Sequence, residues 1–184
     1  MGESAGCGCS DIGIPIEAGQ MKPEQLKLEP LTAEAFGPYG DVIQRKGVIP
    51  EIINTGQTQK YADLARIDTN GGGSSVHLYR SQAATLPFLI ERMERHPLGS
   101  QSFVPLYRRP FPVIVAPPGD NPDIQAIRGF ISNGDQGVSF CKGVWHHSQI
   151  SLDEVCDYLV IDRKGPESNC EEWVLERPLF IDNG

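Results

Sequence analysis

No apolar run in this 184-residue chain approaches the roughly twenty residues of a membrane-spanning helix, so no membrane partner is expected. Basic charge is also short: 16 Lys and Arg face 24 Asp and Glu, a formal net charge of -8. Nucleic acid is therefore not expected as a partner, because binding phosphate backbones needs a concentrated basic surface. A small anionic substrate stays compatible with this balance, since a few local cations can line a pocket. The N-terminus lacks the basic start and apolar core of a secretory signal. Five cysteines without regular spacing imply no disulfide framework and point to a reducing, cytoplasmic setting. Cys7 and Cys9 form a C-x-C pair, but no second pair completes a four-ligand zinc site. Histidine is scarce as well, with four in the chain.

What is present is punctuation. With 15 Pro and 20 Gly, long helical periodicity is rare. The Gly- and Ser-rich start reads as a flexible extension over residues 1–22, and 23–184 as one domain large enough to bury its own core. A short helix is expected in "LTAEAFGPYG", capped by Thr32 and ended by Gly37-Pro38. A second helical stretch is expected in "QTQKYADLARI", where Tyr61, Leu64 and Ala65 are spaced for one apolar face. The segments "DVIQ", "SSVHLYRS", "PVIVAP", "IQAIRGFIS", "GVSF", "DYLVIDR" and "EWVLERP" read as strands, β-branched or aromatic and bounded by turn residues. Many short strands without long helices predict an all-β barrel or sandwich.

Three of the four histidines fall in two segments, "ERHPLGSQSF" (Glu94 to Phe103) and "CKGVWHHSQ" (Cys141 to Gln149). Strand residues two apart share a face, so Glu94 and His96 point the same way. Beyond the Pro97-Leu98-Gly99 bend, Gln101 and Phe103 share a face too. If the bend restores the inward direction, Glu94, His96 and Gln101 converge. Adjacent His146 and His147 must diverge, and parity alone leaves open which one enters the cavity. Two imidazoles with a carboxylate and an amide make a mixed nitrogen and oxygen donor set for a divalent metal. The competing reading is two hydrogen-bonded core histidines with Glu94 paired to Arg92 or Arg95. Lys142 precedes the Gly143 turn and is a candidate proton donor. Arg80 is a candidate carboxylate clamp and His147 a second substrate contact. His77 reads as a surface or core strand histidine rather than a ligand. Cys141 has no evident histidine partner that would make it a nucleophile.

The succession "PLTAEAFGPYGDVI", "INTGQTQKYADLA", "ERHPLGSQSFVPL", "VIVAPPGDNPD", "IRGFISNGDQGVSFCKGVWHH" and "DYLVIDRKGPESNCEEW" resembles the ureidoglycolate lyase family across roughly Leu26 to Leu175. The resemblance implies a cupin-like antiparallel β-barrel with a few short helices, assembled as a homodimer. It implies release of glyoxylate and urea from (S)-ureidoglycolate in allantoin degradation, the action of a carbon–nitrogen lyase of the amidine-lyase type. It also implies a divalent transition metal, nickel or similar, and selects His146 over His147 as the inward residue. On this reading His96, Gln101, His146 and Glu94 hold the metal. Glu94, Lys142 and His146 are then catalytic, and Arg80 and His147 bind substrate. The alternatives are a non-catalytic cupin-like protein that binds a small carboxylate, or a metal-dependent cupin enzyme acting on another small acid.

Overall fold

The computed structural model describes residues 22–182. Nearly all of the expected extension over 1–22, with Cys7 and Cys9, lies outside the described residues. The first expected helix forms, but only over Ala33–Phe36. Thr32 is extended, and its hydroxyl accepts the Ala35 N–H at 3.1 Å; Gly37-Pro38 then stops the turn. The second expected helix is absent. Asn54–Gly56 forms a 3-10 turn between the paired strands Glu51–Ile53 and Thr58–Lys60, and irregular backbone follows. Its apolar spacing was coincidental, because Leu64 and Ala65 have no long helical stripe to extend. "IQAIRGFIS" also divides. Asp123 caps a 3-10 turn over Ile124–Ala126 by accepting the Gln125 N–H, and only Arg128–Ile131 is strand. No helix among the described residues is long and apolar enough to cross a membrane.

The remaining expected strands form, and among the described residues they build two principal curled sheets. In the seven-stranded sheet the order is Glu24–Gln25, Glu171–Ile181, Phe88–Arg95, Trp145–His146, Pro112–Ala116, Arg128–Ile131 and Leu28–Pro30. The five-stranded sheet runs Gly40–Ile43, Gly137–Phe140, Gln101–Pro105, Cys156–Lys164 and Gly73–Ser81. The central pairings are antiparallel, whereas Glu24–Gln25 and Leu28–Pro30 join their edges in parallel. The architecture is all-β, with the few short helical turns expected.

Alternation along the strands decides where the cores sit. Pro112–Ala116 is buried at every position. Val113 and Val115 join Phe36, Phe103, Phe130, Val138, Phe140, Tyr158 and Val160 in one cluster. Ile114 and Ala116 join Ile90, Met93, Trp145 and Leu175 in the other. The strand is thus apolar on both faces because it separates two cores, as a central strand should be. Along Cys156–Lys164, Tyr158 and Val160 are buried while Asp157, Leu159 and Ile161 on the other face are half-buried. A register shift between Val174 and Leu179 resets the parity of Glu171–Ile181 against Phe88–Arg95. Below it Ile90 faces the second core, and above it Met93 does so instead. Arg92 and Glu94 are thereby turned toward the other face.

Candidate active site

Both histidine segments are pinned to each other through the backbone. His146 lies opposite Glu94 in register, on neighbouring strands of the larger sheet. The Gly143 N–H donates to the His96 carbonyl at 3.0 Å, so the turn preceding His146 is tied to the bend following Glu94. Gly143 has φ of +79°, a left-handed conformation that glycine adopts without steric cost. From His96 the chain crosses to the other sheet, where Gln101 begins the strand opposite Phe140 and Asp162. That crossing is crowded. A Cβ on Gly99 would lie 2.7 Å from the Arg163 Cβ and 2.9 Å from the Asp68 carbonyl oxygen. Only glycine fits there without displacing the chain.

This scaffold brings Glu94, His96, Gln101 and His146 together. The ligand atoms of Glu94, His96 and His146 all lie within 4.8 Å of one another. His146 is 1% exposed, stacked on Phe140 with ring centroids 4.2 Å apart and planes at 13°. Its Nε2 is 3.3 Å from Gln101 Oε1 and 3.4 Å from Glu94 Oε1, and its Nδ1 is 3.1 Å from the Val144 carbonyl oxygen. His96 mirrors this arrangement, with Nδ1 on the Asn169 carbonyl and its ring centroid 5.2 Å from that of His146. In each ring a backbone carbonyl accepts from Nδ1, which turns Nε2 inward, where it donates to an acceptor or, once its proton is displaced, ligates an ion.

The donor set fits a divalent ion. His96 Nε2 is buried without a hydrogen-bond partner, although a buried polar atom ordinarily has one. His146 is ringed by three oxygen acceptors, so positive charge is what the site lacks. Ligands about 2.0–2.2 Å from one ion sit roughly 3–3.6 Å apart, close to the spacings around His146 Nε2. Nitrogen from two imidazoles with carboxylate and amide oxygen suits a transition metal. The electrostatics agree. Burial pushes the Glu94 carboxyl up, but the bond to His146 and the nearby histidine charges outweigh it and hold the group below its ordinary range. Burial first, then the His146 charge, push His96 below the ordinary histidine value. The first group is held ionised and the second neutral, as metal ligation requires.

Three other expected site residues stand elsewhere. Arg80 lies on the outer face, where Nε and one terminal nitrogen hold both Asp157 oxygens at 2.7 and 2.8 Å. In register, Arg80 pairs with Asp157, five rungs along the strand from Asp162, which faces Gln101. That is roughly 16 Å along the strand at about 3.3 Å per residue, so Arg80 does not join the Glu94 group. Lys142 lines a separate cleft of about 490 Å³ with Asp41, Arg66, Asp68, Ser100 and Cys141. Its ammonium lies 3.8 Å from Asp68 and makes no contact with Glu94, His96 or His146. His147 packs edge-on against Phe88, centroids 5.6 Å apart, with Nδ1 on the Ser148 carbonyl. The Cys141 thiol in the cleft is pushed up by burial, which keeps it protonated and a poor nucleophile. His77, read as a plain strand histidine, lies 3.3 Å from Asp162.

Asn169 is the residue that sequence reasoning missed. Its carbonyl orients His96, and its side-chain oxygen accepts the Leu98 N–H at 2.7 Å. Nothing in "GPESNC" signals this, because a backbone carbonyl carries no residue identity and the side-chain contact spans 71 residues.

The depressed histidines make stability acid-sensitive. His96 and His147 both titrate below their ordinary value, with burial the leading cause for each. Near and below that value the unfolded chain binds more protons than the folded one, so stability rises with pH there. Glu94 acts in the same direction at lower pH, because a depressed carboxyl stabilises the fold above its ordinary range and loses that contribution on acidification. Without added metal, the unfolding temperature is expected to fall as pH drops from about 7 to about 5, and His96→Gln to flatten the slope. A wild-type profile flat over that interval would contradict the assignment.

The family model described as ureidoglycolate lyase matches residues 23–182. A protein named ureidoglycolate lyase from Burkholderia mallei (strain NCTC 10229) is 50% identical over 158 residues, covering 85% of this chain and 92% of its own. Proteins of the same name from Pseudomonas syringae pv. syringae (strain B728a) and Stutzerimonas stutzeri (strain A1501) are 45% and 44% identical. Each alignment covers 85% of this chain, with 94% and 95% of the respective relative.

Proposed function

Since this chain belongs to the ureidoglycolate lyase family, we propose that it cleaves ureidoglycolate to glyoxylate and urea by breaking the carbon–nitrogen bond, at the Glu94, His96, Gln101 and His146 group. The observation that carries the site is the convergence of two inward Nε2 atoms on one carboxylate. In the substrate one carbon bears a carboxylate, a hydroxyl and a urea nitrogen. Glu94, held ionised, accepts the hydroxyl proton. The O–H electron pair becomes the new C=O bond, and the C–N pair leaves with the nitrogen. The proton on Glu94 passes to that nitrogen, so no water is consumed and the carboxylate is regenerated. His96, half-buried, and His146, buried, are both backbone-anchored and fix the geometry in which this happens.

We further propose that His96, His146 and Gln101, with Glu94 beside them, hold a divalent transition metal, nickel or similar. When bound, such an ion polarises the hydroxyl and makes it easier to deprotonate. A cytoplasmic setting is supported by the free thiols of Cys141 and Cys156. A homodimer is supported by the nine-residue edge strand Gly73–Ser81, whose outer face exposes Val76 and Leu78.

The test is glyoxylate release from racemic ureidoglycolate by protein as purified, chelator-treated, and re-metallated with single ions. Turnover is expected to disappear on chelation and return with one ion. Turnover indifferent to chelation would leave the lyase and remove the metal; no turnover in any sample would remove the lyase.

A further inference from the structure

A substrate carboxylate entering this site meets a negatively charged wall. Glu94 faces inward from its strand, and Glu172 lies directly opposite it on the same face of the neighbouring strand. Two carboxylates side by side repel a third unless cations compensate them; an ion held by Glu94 and the two histidines would answer Glu94, and a side-chain cation is what Glu172 and the incoming carboxylate call for. Arg95 cannot serve, since it is on the opposite face, bound to Glu171 and stacked 4.7 Å over Trp145. Lys142 lies in the separate cleft and Arg80 is closed onto Asp157.

Arg92 remains. It is two residues before Glu94 on the same strand and so shares its face, with Val174 opposite. Its side chain is 60% exposed and makes one hydrogen bond, to Glu172 at 3.3 Å. Guanidinium carries five donors, so one long contact leaves most of the fork available. Planar two-point recognition of a carboxylate is what that fork does best.

We propose that Arg92 is the substrate-carboxylate clamp of this site, with Glu172 as its resting partner. The ligand class is a small α-hydroxy or α-keto carboxylate, held with its carboxylate on Arg92 and its oxygen toward Glu94. The inference rests on the lyase reading for the identity of the substrate, but the carboxylate site is testable without turnover.

The experiment pairs steady-state kinetics with calorimetric binding of glyoxylate, for wild type, Arg92→Ala, Arg92→Lys and Glu172→Gln. The residue is largely exposed, so the variants are expected to unfold at wild-type temperature. Arg92→Ala should raise KM and the glyoxylate dissociation constant together, by roughly tenfold to a hundredfold, with kcat changed far less. Arg92→Lys should recover only part of this, since a point charge does not reproduce the fork. Glu172→Gln should tighten glyoxylate binding by releasing the clamp. KM and glyoxylate affinity within twofold of wild type in Arg92→Ala would overturn the clamp while leaving the lyase reading intact. If wild type shows no turnover, the lyase reading fails, and the binding arm still decides the clamp. Weaker glyoxylate binding in Arg92→Ala would support it; equal binding, or none to either protein, would overturn it.

Discussion

His146→Ala is expected to lower kcat/KM by roughly a hundredfold to ten-thousandfold while the protein stays folded. The ring is the meeting point of the site: Nε2 faces Gln101 and Glu94, and its plane lies flat on Phe140. Removing it takes away one nitrogen donor and the partner that keeps Glu94 ionised. Metal content should fall with activity when both are measured on the same preparation. The internal control is His147→Ala, one residue along, whose ring lies against Phe88 outside the group. Steady-state turnover of that variant should stay within about threefold of wild type, since a residue outside the reacting group has no transition-state contact to lose. Comparable losses from both variants would mean that the alternation of the short strand does not separate their roles. Near-normal turnover in a folded His146→Ala would place the chemistry elsewhere.

Phe140→Ala carries the largest expected stability loss, about 3–5 kcal/mol. Phe140 is buried against Phe36, Phe103 and the His146 ring, so truncation opens a cavity between the sheets and removes the floor of the site. Phe140→Leu keeps most of the volume and should cost less than about 1.5 kcal/mol, isolating the loss of ring stacking. Urea denaturation at constant slope reads the first effect, and turnover of the leucine variant reads the second. A Phe140→Ala loss below about 1 kcal/mol would show that the core collapses around the gap.

Much of this site was legible because it obeys short-range rules. Glu94 and His96 share a face by strand parity, and the Pro97-Leu98-Gly99 bend delivers Gln101 to the facing sheet. Parity also separates His146 from His147, but it cannot say which turns inward. That choice came from the family resemblance, because inward and outward depend on what a strand packs against. Arg80 was singled out for ending a strand, yet its face is set by pairing with Asp157, 77 residues away. From the sequence, Arg92 reads only as a surface partner of Glu94. Its actual partner, Glu172, is 80 residues distant and is placed by a register shift that no local pattern announces. The helix expected at Gln57–Ile67 failed for a related reason. Spacing of three and four residues arises by chance in short windows, and the hairpin beside it takes the backbone hydrogen bonds.

The two histidines are aimed by main-chain carbonyls, those of Val144 and Asn169. Those acceptors survive a side-chain replacement at Val144, whereas at Asn169 the side chain also accepts the Leu98 N–H, so a replacement there loosens the loop that carries the carbonyl. Changes of loop length do not. One residue gained or lost between Lys164 and Asn169, or between Cys141 and Val144, would slide a carbonyl out from under its imidazole. The site is therefore more tolerant of substitution at Val144 than of insertion or deletion in either loop, and relatives that retain the chemistry are expected to keep the lengths of these loops.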